Sequence, residues 1–258
     1  KKSGKKAQYL AQKYDKSCIL AEEGFLTHIT PQTGATQLLL DTTGGVHYDP
    51  HQKSLIDDAL NLADHPDIRQ QARDFIAIWQ DAGLSKTNHR PNPLNLPPKP
   101  FVLLCDQVEN DASLLYSNAT RKRFDIMLDM TRKTWPDHLI IIRTHPRATN
   151  GHYHNKPLPN NTQITLGTDH PAPWLQAADH VVTFSSQMGL EALILNTPVT
   201  CWGTPFYAYR GLTRDFGSQP GYQRPTCDLE QLVGAAFLIA PHTFNPRTFE
   251  PCHPLHLA

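Results

Sequence analysis

An excess of charge of one sign is missing from this chain: 24 Lys and Arg stand against 24 Asp and Glu, so the formal net charge is zero. That balance excludes a general polyanion binder, so no nucleic acid partner is expected, and it offers no wholesale attraction to anionic lipid. Long apolar runs are missing too. No stretch approaches the ~20 apolar residues a membrane span needs, and none has the layout of a secretory leader. Paired CxxC spacing is absent, and the five cysteines, Cys18, Cys105, Cys201, Cys227 and Cys252, are an odd number. Cys105 and Cys201 close apolar strand-like runs, so reduced, buried thiols of a cytosolic protein are expected in place of a disulfide framework. HExxH is absent as well, and His152, His154 and His170 fall in loop-like sequence where solvated histidines are the default, so no metal is expected. Without a P-loop or GxGxxG, ATP hydrolysis and ordinary dinucleotide chemistry lack support.

What is present suits one large α/β domain or two compact lobes, since 258 residues can bury a core either way. The abrupt opening "KKSGKK" leaves room for a larger parent protein. A short strand "SCILA" precedes "EEGFL", and a second, "TQLLLD", runs into the loop "TTGGVHYDP". Residues 53–63 and 67–82 carry apolar positions at helical spacing, in the second case Ile68, Ala72, Phe75, Ile76 and Trp79, and Gly83 stops that helix. Five prolines between residues 91 and 100 mark the best lobe boundary, giving residues 1–99 and 100–258. Beyond it "FVLLC", a helix over 121–134, "HLIIIR", "QITLG", a short helix near 174–177, "HVVTF", a helix after Ser186 and "PVTCW" alternate. Near-continuous apolar strands alternating with helices predict a parallel sheet covered on both faces, with ligands at the carboxyl ends of its strands.

The residues just after those strands therefore carry the chemistry. After "FVLLC" comes the run Asp106 to Asp111, after "HLIIIR" come Thr144, His145 and Pro146, and after "HVVTF" come Ser185 and Ser186. Hydroxyls and free backbone N–H groups at a helix start make an anion site that suits a phosphate; a plain Ser N-cap reads equally well from this stretch alone. Glu191 tips the balance toward a ligand, because a carboxylate among Leu and Ala needs a partner and a ribose diol supplies two hydroxyl donors. His145, with Arg143 two residues earlier, is a candidate phosphate donor. Glu109 reads best as a helix cap, whereas Asp111 reads evenly as a cap or as a nucleophile or base. Glu22 and Glu23, before Gly24, would aim at least one carboxylate across a cleft between lobes.

Taken together, the stretches "EEGFL", "LLLDTTGGVHYDP", "AGLSKTN", "QVENDAS", "RTHP", "SSQMGLEALILNTPV", "GTPFYAYRGLTRD" and "PRTFEPC" resemble the capsule-polysaccharide biosynthesis β-Kdo glycosyltransferases, in that family's order and over nearly the whole chain. The resemblance implies a GT-B-like α/β fold of two Rossmann-like lobes with parallel sheets, the C-terminal lobe holding the CMP-sugar and the last residues returning to the N-terminal lobe. It implies Kdo transfer from CMP-Kdo with retention, by double displacement through an enzyme carboxylate. Asp111 takes the nucleophile's place and Glu22 that of the acid/base; Arg143, His145, Pro146, Ser185, Ser186, Gln187 and Glu191 carry over as CMP ligands. Fixed N–H and cationic donors would then stabilise the leaving CMP with no metal and no other cofactor. The implied partners are a CMP-sugar donor, a glycan or glycolipid acceptor, and the inner membrane or capsule-assembly proteins as peripheral docking sites of a cytoplasmic enzyme. Four positions depart from the family: Thr27 replaces Arg, Thr87 replaces Tyr, Arg210 replaces Trp, and Leu190 stands where Phe is usual. Losing an Arg and two aromatics at implied sugar or acceptor contacts leaves three readings: the Kdo transferase, a transferase of another CMP-ulosonic acid such as sialic acid, and a non-catalytic CMP-sugar or glycan-binding module.

Overall fold

The computed structural model describes residues 2–27, 36–43, 46–109, 111–145, 153 and 157–257. Helix α1 (Lys2–Lys13) leads to strands β1 (Leu20–Glu23) and β2 (Gln37–Asp41), then to helices α2 (Leu55–Ala63) and α3 (Pro66–Ala82). In α2 the buried residues Ile56, Ala59, Leu60 and Ala63 recur at helical spacing, and the Asp57 carboxylate reaches back to accept from the Ser54 N–H at 2.9 Å. Pro66 opens α3 with a φ already suited to the first turn. Gly83 ends it in the left-handed region at φ 60°, where a side chain would be strained. Ala72, Phe75 and Trp79 form its buried stripe.

The C-terminal region alternates as its sequence predicts: β3 (Phe101–Cys105), α4 (Ala112–Tyr116), α5 (Arg121–Thr134), β4 (Leu139–Thr144), β5 (Thr162–Leu166), α6 (Pro171–Ala177), β6 (His180–Thr183), α7 (Gln187–Ile194) and β7 (Val199–Cys201), closed by the two-residue β8 (Arg214–Asp215). These strands form one parallel sheet in the order β5-β4-β3-β6-β7-β8. Strand β3 shows why both faces read as apolar: Phe101, Leu103 and Cys105 enter one core, while Val102 and Leu104 enter a second beneath Phe124, Met127 and Leu128 of α5. The chain grows outward from β3 to β5 and then returns to place β6 on the other side of β3. The strand order reverses there, so loops diverge and leave a crevice at the carboxyl ends of β3 and β6.

In the N-terminal region the expectation of a parallel sheet gives way to a small antiparallel one, ordered β1-β2-β9, with Leu20 opposite Asp41 and Gln37 opposite Thr243. Antiparallel neighbours need no crossover, so the consecutive strands β1 and β2 can pair directly. Its third strand, β9 (His242–Thr243), arrives from the far end of the chain after helix α8 (Leu229–Val233) and a π-helical turn over residues 234–239. Phe237 of that turn packs on Phe75 and Trp79 of α3, at ring distances of 4.9 and 5.4 Å, so one core runs from α2 and α3 into the parallel sheet.

Candidate active site

A cleft of about 960 Å³ opens at the reversal point, between the β1 and 47–48 segments on one side and the β3, β4 and β6 ends on the other. Glu22, Asp111, Arg143, His145, Ser185, Ser186, Gln187 and Glu191 all line it; Pro146 lies outside the described residues. Glu23 lines it as well, whereas Glu109 is drawn outward to Arg121 at 2.7 Å.

Asp111 combines both of its readings. It is the N-cap of α4, one carboxylate oxygen accepting from the Ser113 N–H and from the Ser113 hydroxyl at 3.0 Å each, and it faces the cleft. From Ser113 a chain of polar contacts crosses the sheet. The Ser185 hydroxyl donates to Ser113 Oγ at 3.1 Å, and the Ser185 N–H donates to Gln107 Oε1 at 2.9 Å. Gln107 thus ties the end of β3 to the end of β6.

The serine turn departs from the picture of free N–H groups. The Ser186 N–H donates to Thr183 Oγ1 at 3.1 Å, and the Ser186 hydroxyl caps the Met188 N–H at 3.2 Å. With Gln107 holding the Ser185 N–H, the amides of Ser185, Ser186 and Met188 already have protein partners, which leaves the serine hydroxyls to offer a ligand. The Tyr207 hydroxyl donates to the Ser186 carbonyl at 2.5 Å, which is why Gly189 is required: a Cβ there would lie 2.2 Å from the Tyr207 hydroxyl oxygen. The Gln187 amide donates to the Phe25 carbonyl at 2.7 Å and links α7 to the segment after β1.

Glu191 is buried, and its need for donors is met within the protein: the Ser85 hydroxyl at 2.8 Å and the Lys86 N–H at 3.2 Å. Burial pushes its carboxyl up to about 7, opposed by those two donors and by the charges of Lys86 and Arg143. Arg143 sits on the cleft wall, but its guanidinium is held by the Asp169 carboxylate at 2.5 Å and the Asp169 carbonyl at 2.6 Å and lies over the Trp174 ring. Little of its charge is left for an anion.

Tyr48 and His47 escaped the sequence reading. The Tyr48 hydroxyl donates to Glu22 Oε1 at 2.6 Å, and its ionisation is pushed up by burial, by this bond and by the charges of Glu22, Tyr116 and Asp111. His47, against Phe25 and Phe206, is kept neutral: burial and then the Lys86 charge lower it to about 3, with Asp111 opposing. Their signal lay in "GVHYDP", polar and aromatic residues crowded into a loop directly after an apolar strand.

The departures at 27, 87, 190 and 210 resolve unevenly. Thr87 lines the cleft. Thr27 and Leu190 are buried, and the Thr27 hydroxyl has no hydrogen-bond partner among the described residues. Arg210 is not a cleft residue; it is fully buried, ion-paired with Asp57 and donating to the Phe206 carbonyl at 2.6 Å. An aromatic lost there is a change in packing. His170 also departs from expectation, as a buried N-cap that accepts from the Ala172 N–H at 3.3 Å. His152 and His154 lie outside the described residues. Among the described residues no cluster of three His, Cys, Asp or Glu could hold a metal ion, and no helix is long and apolar enough to cross a membrane.

Comparison with known proteins agrees with this architecture. The chain is 32% identical to the lipopolysaccharide-processing protein LpsZ of Rhizobium meliloti over 238 residues, covering 85% of this chain and 53% of LpsZ. It is 31% identical to the capsule polysaccharide modification protein LipA of Neisseria meningitidis serogroup B over 268 residues, covering 95% of this chain and 38% of LipA. It thus spans about half or less of the length of these relatives. The solved structure of Thermosulfurimonas dismutans KpsC, titled a β-Kdo 2,4-transferase, superposes with a TM-score of 0.89 at 29% identity, over 98% of this chain and 83% of that one, and carries the GT-B-like fold. The family model for capsule polysaccharide biosynthesis proteins matches residues 70–242, so the chain belongs to that family.

Proposed function

We propose that this chain is a glycosyltransferase domain that moves Kdo from CMP-Kdo to a glycan or glycolipid acceptor with retention, in capsule or lipopolysaccharide assembly. The observation that carries the reading is the facing of Glu22, from the antiparallel sheet, and Asp111, from the parallel sheet, across one cleft at the strand-order reversal. The likeness to KpsC supports the choice of Kdo.

Two displacements fit these groups. In the first, the Asp111 carboxylate attacks the anomeric carbon, the bond from that carbon to the phosphate oxygen breaks, and its electron pair leaves with CMP. In the second, Glu22 takes the proton of an acceptor hydroxyl, the hydroxyl oxygen attacks the same carbon, and the ester to Asp111 breaks. Two inversions give net retention. The Ser113 contacts hold the Asp111 carboxylate in one orientation, and Tyr48 does the same for Glu22. Ser185, Ser186 and His145 line the same cleft and are the groups this reading assigns to the CMP phosphate.

The test is transfer from CMP-Kdo, generated in situ, to short β-Kdo-terminated acceptors. The native chain should transfer, and Asp111→Ala should abolish transfer while CMP still binds. Glu22→Gln should lower kcat by about 10²–10⁴-fold. Absence of transfer from CMP-Kdo with activity on CMP-sialic acid would move the reading to another ulosonic acid, and CMP binding without any transfer would leave a binding module.

A further inference from the structure

The segment "AGLSKTN" has no role in the steps above, yet it is fastened to the cleft wall at several points. Gly83 turns the chain out of α3, and the Asn88 side chain then closes the next four residues on themselves: its Oδ1 accepts from the Ser85 N–H at 2.8 Å and its amide donates to the Ser85 carbonyl at 2.6 Å. The Ser85 hydroxyl and the Lys86 N–H fasten the turn to Glu191 of α7. Lys86 therefore lines the cleft from a clamped turn, near enough to Glu191 and to His47 for its charge to act on both.

Three Lys or Arg side chains line the cleft among the described residues: Lys86, Arg90 and Arg143. Arg143 is neutralised by Asp169, and Arg90 donates to the Gly167 carbonyl. The Lys86 ammonium, by contrast, forms no ion pair with a carboxylate among the described residues. A compact ammonium with three donors, on a turn that loses no further freedom on binding, is suited to an oxyanion. We infer that Lys86 is the fixed cation that binds the oxyanions borne by the donor's anomeric carbon, the phosphate of the nucleotide or the carboxylate of the ulosonic acid. The inference rests on the proposed CMP-sugar reading and adds a residue to it. It also gives Glu191 a second task, to anchor the Lys86 turn.

Calorimetric titration of the full chain separates the two sources and the two claims. The native chain is titrated with cytidine, with CMP, and with free Kdo at saturating CMP, alongside Lys86→Met and Lys86→Arg, each checked for an unchanged circular dichroism spectrum. If Lys86 binds the phosphate, Lys86→Met lowers CMP affinity by about tenfold or more, leaves cytidine affinity in place, and Lys86→Arg recovers most of the loss. If it binds the carboxylate, the same pattern appears in the Kdo titration with the ratio of CMP to cytidine affinity unchanged. Lys86→Met that moves neither quantity overturns the inference while leaving the CMP-sugar reading standing. A native chain that binds neither CMP nor cytidine overturns both.

Discussion

A carboxyl group that ionises near neutrality inside a protein makes stability depend on pH, and Glu191 is such a group, raised by burial from 4.5 to about 7. The native state holds its proton more tightly than the unfolded chain does. Its stabilising contribution is therefore fully present below about pH 4.5 and is lost as pH rises through about 7. At ~1.4 kcal/mol per unit, the loss across the window is about 3 kcal/mol. His47 runs the other way: lowered from 6.5 to about 3, it contributes stability above pH 6.5 that is lost as pH falls toward 3. A comparison of the native chain with Glu191→Gln removes the His47 contribution, which both share. Urea unfolding at about pH 4.5 and about pH 7.5 should show the difference between the two chains moving by about 3 kcal/mol in favour of the variant at the higher pH. A difference that stays constant would mean that Glu191 does not titrate in that window. Glu191 stood out in the sequence as a carboxylate among apolar neighbours. The donors that satisfy it come from Ser85 and Lys86, a hundred residues away in sequence, and only packing brings them there.

Among the elements, those whose burial is decided locally were legible and those decided by distant partners were not. Strands β3, β4, β6 and β7 read as apolar runs because the sheet is covered on both faces, and α3 read as a stripe bounded by Pro66 and Gly83. The two-residue strands β8 and β9 carry no periodicity of their own, and the π-helical turn over 234–239 is set by its packing against α2 and α3. Helix α2 shows how far such partners reach. Its Asp57 pairs with the buried Arg210, accepts from the Tyr222 hydroxyl at 2.7 Å, and so fastens α2 to the loop carrying Phe206 of the cleft. Asp57→Ala leaves Arg210 buried without its counter-charge and should cost about 3–5 kcal/mol in urea unfolding. Replacing both partners, as in Asp57→Leu with Arg210→Met, should cost clearly less than Asp57→Ala alone, because no charge is then stranded. Equal losses would show that packing, not charge, dominates at this junction.

At the scale of the molecule, the five-proline boundary suggests two bodies, but the contacts bind them together. Gln37 of β2 accepts from the Leu26 N–H at 3.1 Å and donates to the Phe237 carbonyl at 2.9 Å and to the Thr243 hydroxyl at 3.1 Å, holding the N-terminal sheet to the C-terminal return. The apolar core is continuous from Leu26 and Leu39 through Phe75, Trp79 and Phe237 to Leu103, Val181 and Cys201. No surface divides that core where the prolines fall. Opening one half would expose apolar area belonging to both, so the halves should lose structure together. The expected outcome is a single unfolding transition, with far-UV circular dichroism and tryptophan fluorescence superimposing on one urea midpoint. Trp79 reports the helices of the first half, and Trp135, Trp174 and Trp202 report the second. Shortening the chain to end at Pro241 removes β9 and the Thr243 contact of Gln37, leaving β2 as an open edge beside Glu22 on β1. The shortened chain should unfold at a lower urea concentration but still in one step, and it should lose transfer more than CMP binding, since Glu22 stands on the sheet that is weakened. Two separate transitions in the native chain would instead mean that the halves fold independently and that the shared core contributes little to their union.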